Sequence, residues 1–345
     1  MVKFPLLCHE IIQRQSCFYN QTDLAEALIS TYMMKLDDFW QKIKGKIKRT
    51  LALNPNQVFP LTPELPLPAG ISENELFNFV KSVLVSDAPP QEMANYCQQD
   101  FRRFVYTYGL VKNLAGNCLE LGANPYFTTM LIRQFTQLEL SLANYFGSAH
   151  QERVVQEVYY KDFNSKEECS LKLESSHFNI ENDSFPFRDE EFDVVLFCEI
   201  IEHLLIDPIA ALKEIKRILK PKGVLVITTP NVNRLENVCR MISGANIYDP
   251  YSGYGPYGRH NREYNRHDLY LLLDHLGFSI DFMFTADVHQ NEANGYCSVY
   301  NLKPFLKKRQ FDLGQYIFVR AINDKPAKDK KPAFLYRSLP PDQLE

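Results

Sequence analysis

Asn117-Cys118-Leu119-Glu120-Leu121-Gly122-Ala123-Asn124-Pro125 is an apolar strand that ends in a carboxylate and a glycine turn. The same order then recurs: Phe185 to Phe197 brings another apolar strand, and a helix closes at Leu219-Lys220-Pro221-Lys222-Gly223. That alternation confines the chain to an α/β fold, a Rossmann-like doubly wound sheet with helices on both faces. Ligands of such sheets bind in the crevice outside the carboxyl ends of the strands, and a nucleoside is the expected ligand here.

Hydrophobic patterning places seven strands at 117–121, 135–140, 175–180, 192–198, 223–229, 278–287 and 314–322. The last two leave no evident room for a helix between them, so a terminal antiparallel hairpin is expected on an otherwise parallel sheet. Residues 1–110 read as a helical preface. Leu24, Ala27, Leu28, Thr31, Tyr32 and Lys35 recur at three-and-four spacing, and a basic segment runs from Lys42 to Arg49. That segment reads more readily as a solvated helix face over Phe39 and Trp40 than as a phosphate site.

The proline-rich stretch 54–70 is a linker or an extended strap. Ser72 and Glu75 then form a capping-box spacing that opens a helix toward Val85, and a further helix is expected from Pro90 to Tyr108. Residues 111–323 make the α/β domain. Residues 324–345 read as a flexible tail unless Phe334, Leu335 and Tyr336 dock somewhere.

A net charge of -4 exerts no global pull on nucleic acid or anionic lipid. The eight cysteines lack any C-x-x-C pair and read as reduced thiols. The apolar amino-terminal run is cut short by Cys8, His9, Glu10 and Arg14, and no segment approaches the length of a membrane span. A soluble cytoplasmic protein is expected, with no nucleic-acid or membrane partner.

The ordered motifs resemble the class I S-adenosylmethionine-dependent methyltransferases, in the branch where Phe-Pro-Phe precedes a Phe-Asp-x-Val strand and Glu-His-Leu follows it. The resemblance covers Val111 to Asn323 and rests on five segments in order: Leu119 to Gly122, Glu139-Leu140-Ser141, Phe185 to Phe187 with Phe192 to Val195, Glu199 to Leu204, and Arg217 to Gly223. It implies S-adenosylmethionine as cofactor. Gly122 would bring the backbone close to that ligand, with Ala123 and Asn124 continuing the turn. Glu120 would support the methionine end, although it could instead cap the next helix. Glu139, with Leu140 beside it, would accept both ribose hydroxyls through bonds of about 1.5–3 kcal/mol each, unless it is a plain surface carboxylate. Asn179 and Ile180 would meet the adenine, and Cys198 would lie by the sulfonium through its backbone.

One departure stands out: Asn124 and Tyr126 occupy places where the family carries glycines. Asn124 tolerates the left-handed backbone, whereas Tyr126 is expected to narrow the approach to the cofactor. The same turn argues against a dinucleotide enzyme, which wants G-x-G-x-x-G.

Asn246 to Tyr264 is dense in Tyr, Gly and Pro and reads as a functional loop over the donor pocket. Tyr254 and Tyr257 suit a sugar face, and Arg259 and Arg262 suit carboxylate or phosphate. His260 is the candidate general base with Glu263 as its orienter, the alternative being that Arg259, His260 and Glu263 only pin the loop. His203 reads as a packed histidine before a catalytic one. No cluster shows metal-ligand spacing, so no metal is expected. The expected acceptor is a glycan or nucleotide-sugar hydroxyl, then another small-molecule hydroxyl or amine, and last a macromolecule. The competing reading is a methyltransferase-fold binding protein without turnover. The helical preface would shape the acceptor site or make a homodimer contact.

Overall fold

A strand buried on both faces must alternate its apolar side chains between two cores, and β6 (Phe192–Cys198) does so. Val195 and Phe197 enter one apolar cluster, whereas Val194 and Leu196 enter another across the sheet. A computed structural model describes residues 60–147 and 151–345 of the chain. The readings made for residues 1–59, including the first helical stretch and the Lys42 to Arg49 segment, lie outside the described residues.

The described strands form one nine-stranded sheet. At its centre β2 (Ala115–Leu121) pairs in parallel with β3 (Gln137–Asn144) on one side and with β6 on the other. β5 (Glu168–His177) extends the sheet beyond β3, and β7 (Leu219–Pro230) extends it beyond β6, both in parallel. The chain therefore reverses its direction of winding between β2 and β6, which opens a crevice at their carboxyl ends.

Two strands exceed the expected seven. β4 (Arg153–Lys161) forms an antiparallel hairpin with β5, and β1 (Leu84–Val85) adds an edge pair to β4. At the other end β9 (Tyr316–Asn323) runs antiparallel between β7 and β8 (Phe278–Ala286). The final pair is not a tight hairpin, because a short helix (Val299–Leu306) lies in the connection.

The helices sit where their apolar stripes require. α1 (Glu73–Lys81) opens with the anticipated capping box: Ser72 N–H donates to Glu75 at 2.9 Å and Ser72 Oγ accepts from Glu75 N–H at 3.3 Å. α2 (Pro90–Val111) begins with proline in its first turn, where no amide donor is needed. These two, with α3 (Phe127–Phe135), cover one face of the sheet. α4 (Pro208–Ile218) and α6 (Arg266–His275) cover the other, with Leu212, Ile215, Leu269 and Leu272 fully buried at about 1.5–3 kcal/mol each. The strap ending at Gly70 lies across α2, where Gly109 leaves the space that Pro66 fills; a Cβ there would come 2.2 Å from Pro66 Cγ.

Residues 324–345 dock. Leu335 and Tyr336 pack against the α4–α6 core, and both Lys331 Nζ and Tyr336 Oη bond the Asp207 carboxylate that caps α4. Phe334 stays exposed, so Leu335 and Tyr336, with the two polar contacts to Asp207, hold the segment. No helix among the described residues is long and apolar enough to cross a membrane. The six described cysteines are free thiols, three of them buried.

Candidate active site

The crevice at the switch point is a cavity of about 180 Å³ bounded by the ends of β2, β3, β5 and β6. Gly122 closes β2 with a left-handed backbone, φ 68°. A Cβ there would stand 3.0 Å from Ile200 Cδ1, so glycine keeps the crevice floor open. The amides of Gly122 and Ala123 both donate to Ala143 O, at 2.9 and 3.2 Å.

Tyr126 does not narrow the approach to this crevice. Its ring is fully buried among the helices, and its hydroxyl donates to Gln156 Oε1 at 2.7 Å and accepts from Asn144 Nδ2 at 3.1 Å. Asn124 joins the same network, its amide donating to Asn144 Oδ1 at 2.8 Å and its Nδ2 to Gln156 Oε1 at 3.1 Å. Asp87 anchors Gln156 from behind at 2.9 Å. The turn that lacks two glycines is therefore held by side chains from β3 and β4.

Glu139 is not at the crevice. β3 runs on to Asn144, because Leu138, Leu140 and Leu142 continue its alternation past the point where the sequence reading ends it. Glu139 is exposed and pairs with Asn117 in the first half of β2, and Leu140 pairs with Cys118. Asn144 and Tyr145 occupy the strand end instead and line the cavity, with Tyr145 stacked 5.6 Å from His177. Asn179 and Ile180 do line the cavity, just beyond β5. Asn179 Oδ1 accepts from Glu181 N–H at 2.9 Å, and its Nδ2 donates to Tyr257 Oη at 3.4 Å. Tyr257 thus closes one side of the crevice, edge-on to Tyr145 at 6.2 Å.

Glu120 points to the helical face of the sheet, where Thr129 Oγ1 donates to it at 2.6 Å. Burial pushes its carboxyl up to about 8, against which the Thr129 bond acts only partly. Cys198 is half-buried at the end of β6, and burial pushes its thiol up to about 12, so it is no thiolate.

Past Cys198 the chain takes a left-handed step at Glu199, φ 55°, which aims its carboxylate along the crevice wall. Thr228 Oγ1 donates to Glu199 at 2.8 Å, and Thr229 Oγ1 donates to Glu202 at 2.9 Å, so the end of β7 positions both. Burial raises both carboxyls, and the charge of Glu202 raises Glu199 further. Arg103 of α2, only 4% exposed, offsets this with its positive charge while bonding Asp100 at 2.9 Å. Asp100 and Arg103, with Tyr96 on the same helix, were not singled out from sequence; charges recurring on the apolar face of α2 were the available signal.

His203 Nδ1 lies 2.9 Å from the Arg259 carbonyl, which can only accept, so Nδ1 carries the proton. Burial and the neighbouring His260 lower its affinity for a second proton. His260 packs edge-on at 5.0 Å, and its Nδ1 meets Glu263 Oε1 at 3.0 Å. Burial disfavours the imidazolium, but the bond to Glu263 and the charge of Glu202 outweigh it and raise His260. Arg234 grips the other oxygen of Glu263, and with His260 it holds that carboxyl below its ordinary range despite burial. The expected His260–Glu263 pair is thus assembled. The aromatic loop is pinned as well: Asn261 and Arg262 amides donate to Glu202 O at 2.7 and 3.1 Å.

Behind His260 lies a second cavity of about 230 Å³, lined by Arg234, Glu236, Arg240, His260, Glu263 and Tyr316 among others. Two buried atoms here, Arg240 Nε and Glu236 Oε2, have no hydrogen-bond partner among the described residues. Sequence reading missed this pocket because its residues come from α5 (Leu235–Ser243), the aromatic loop and β9, far apart in the chain. Of the residues expected at the acceptor, Tyr254 is 89% exposed. Arg259 stacks over Tyr251 at 4.6 Å, and Arg262 pairs with Asp268 at 3.6 Å.

A methyltransferase-domain family model matches residues 93–281, more than half of the chain. The chain belongs to that family. Its members here are class I S-adenosylmethionine-dependent methyltransferases, and the match takes in α2, the crevice, the carboxylates after β6 and the aromatic loop. An uncharacterized protein of Methanocaldococcus jannaschii is 44% identical over 50 residues, which span 14% of this chain and 21% of that relative's length. A methyltransferase of Thermotoga maritima is similar in structure at 15% identity, covering 68% of this chain and 96% of the other with a TM-score of 0.42. A chain of the complex between the Haloferax volcanii Trm112 methyltransferase activator and a methyltransferase is similar at 13% identity, covering 68% and 94% with a TM-score of 0.41.

Proposed function

We propose that the protein transfers the methyl group of S-adenosylmethionine to a hydroxyl of a small, polar acceptor, a sugar or nucleotide sugar being the class that suits the pocket best. The supporting observation is the arrangement of two cavities on either side of the His203–His260 pair: His203 lines the crevice, and His260 lines the polar pocket behind it.

The crevice residues fit the cofactor by their chemistry. Gly122 admits the backbone approach, Ile180 and Phe178 offer apolar faces for a purine, and the Asn179 carboxamide lies beside them. Tyr145, just past the end of β3, would take the place expected for Glu139 at the sugar, because both polar ends of the Asn144 side chain are bonded to the Asn124–Tyr126 turn. Glu120 or Glu199 would accept the ammonium of the methionine end, each becoming ionised as it does so. Bound there, S-adenosylmethionine supplies an already activated methyl carbon, and the protein's main contribution is alignment, worth up to about 7–11 kcal/mol.

In the acceptor pocket, the unpartnered Arg240 Nε and Glu236 Oε2 call for a ligand that both accepts and donates, as a hydroxyl-bearing ring does. His260 Nε2, with Nδ1 held by Glu263, is placed to take the hydroxyl proton. The test is transfer of labelled methyl from S-adenosylmethionine to a panel of free and nucleotide-linked sugars, with Arg240→Ala alongside. Transfer to at least one sugar, reduced in the variant, is expected. Binding of S-adenosylhomocysteine with no transfer to any hydroxyl acceptor would move the binding-protein reading to the front.

A further inference from the structure

Glu202 poses a problem that hydrogen bonding within the protein does not solve. Its side chain is fully buried, and its Oε2 accepts from Thr229, yet its Oε1 has no hydrogen-bond partner among the described residues. A buried carboxylate oxygen left bare costs on the order of 1–3 kcal/mol or more, so a partner from outside the chain is called for. The surroundings of that oxygen are two imidazoles. His203 Nε2 stands 3.8 Å away, too far for a hydrogen bond, and one ligand atom from each of Glu202, His203 and His260 falls within 4.8 Å of the others.

The tautomers suit a cation rather than a proton between them. His203 uses its Nδ1–H on the Arg259 carbonyl, and His260 uses its Nδ1–H on the Glu263 carboxylate. Each imidazole therefore keeps the Nε2 lone pair free. Metal-binding histidines are commonly oriented in this way, by a carbonyl or carboxylate on the far nitrogen. Glu263 is in turn held by Arg234, which completes a supporting shell for His260.

We propose that Glu202 Oε1, His203 Nε2 and His260 Nε2 form a three-ligand site for a divalent transition cation between the cofactor crevice and the acceptor pocket. Two imidazoles and one carboxylate suit zinc, cobalt, manganese or ferrous iron better than magnesium or calcium, which prefer all-oxygen sites. Bonds of about 2.0–2.2 Å allow two ligand atoms to be at most about 4.2 Å apart, so the widest of the present separations must contract by under about 1 Å.

The placement gives the cation a task, and this part rests on the methyl-transfer reading above. With His260 Nε2 bound to metal, the cation replaces the free imidazole as the group that activates the acceptor. It would bind the acceptor oxygen, the O–H bond would break with its proton leaving to water, and the resulting oxyanion would form the O–CH₃ bond. The S–CH₃ bond breaks in the same step, its electron pair remaining on sulfur.

The test is direct metal binding by the full chain after removal of bound metal with chelator. Cobalt(II) is titrated and its visible ligand-field absorption recorded, and zinc and manganese(II) are titrated calorimetrically. One cation per chain is expected, with affinity falling at least about tenfold in Glu202→Gln and in His260→Ala. Glu202→Gln keeps the volume and the Thr229 bond, and half-buried His260 tolerates truncation, so at least one variant remains folded. Binding of none of the three cations, or binding unaltered in both folded variants, overturns the proposal. S-Adenosylhomocysteine binding, measured in parallel, separates the two readings: its loss in wild type with metal uptake intact condemns the cofactor site and leaves the metal site standing.

Discussion

Glu120→Gln tests the electrostatics at the end of β2 most directly. Glu120 is 5% exposed and its carboxyl is pushed up to about 8 from an ordinary 4.5. Because its folded value lies above its unfolded value, the folded protein holds more protons between those limits. Stability is therefore highest at the acid end and falls as pH rises, levelling off above about 8. The full displacement corresponds to ~5 kcal/mol, and the part between pH 6 and pH 9 to about 3 kcal/mol. Urea unfolding of wild type and variant at those two pH values measures it. Glu199 and Glu202 titrate with the same sign, but both are present in each protein and cancel in the comparison. Glutamine should match wild type only below the ordinary carboxylate range, since Thr129 can still donate to it; it should be about 2 kcal/mol more stable than wild type at pH 6 and about 5 kcal/mol more stable at pH 9. Parallel pH profiles in the two proteins would refute the assignment of a buried, protonated Glu120. A second readout follows from the methyl-donor reading. If Glu120 receives the ligand's ammonium, S-adenosylhomocysteine binding at pH 7 releases close to one proton, which calorimetry in buffers of different ionisation enthalpy detects and the variant abolishes.

Gly122→Ala should cost about 1–2 kcal/mol from its left-handed backbone and should weaken S-adenosylhomocysteine binding by more than tenfold, because the new methyl group faces Ile200 across the crevice floor. Unchanged affinity in a titration would sink the close-approach argument. Asp207→Asn should loosen the carboxyl-terminal segment, since Asp207 receives both Lys331 and Tyr336; limited proteolysis within residues 324–345 reports this. Burial raises the Asp207 carboxyl, but Lys331 and Tyr336 outweigh that and lower it. Its contribution, of order 1 kcal/mol, is thus present above the ordinary carboxylate range and lost as pH falls through the lowered value, so wild type should become protease-sensitive only in acid.

The alternation of strands and helices, the Gly122 turn, the capping box at Ser72 and the stretch Phe192–Cys198 were all legible in the sequence. Each is a local pattern: side-chain period, a capping spacing, or a residue type demanded by one backbone angle. Register was less legible. Glu139 and Asn144 both lie on β3, and only pairing with β2 shows which of them reaches the crevice. β4 escaped notice because an edge hairpin needs only one buried face, and its polar Gln156 serves the Asn124–Tyr126 turn rather than a core. The aromatic loop was recognised as a unit, yet Tyr254 points outward while Tyr257 closes the crevice, a choice set by the three-residue turn at Pro256–Gly258.

Chain separation explains the rest. Glu202 and His203 are neighbours in sequence, but His260 reaches them only because Asn261 and Arg262 bond the Glu202 carbonyl and draw the loop over the end of β6. Arg234 and Arg240, at the start of and within α5, and Tyr316 of β9 converge in the same way. Sequence alone determined the doubly wound architecture and the place of a cofactor crevice, since hydrophobic periodicity and one obligatory glycine act over a few residues. Which polar groups face one another across that crevice was decided by tertiary packing, because hydrogen bonds and charges act through space over a few ångströms, and only the folded chain brings those distances about.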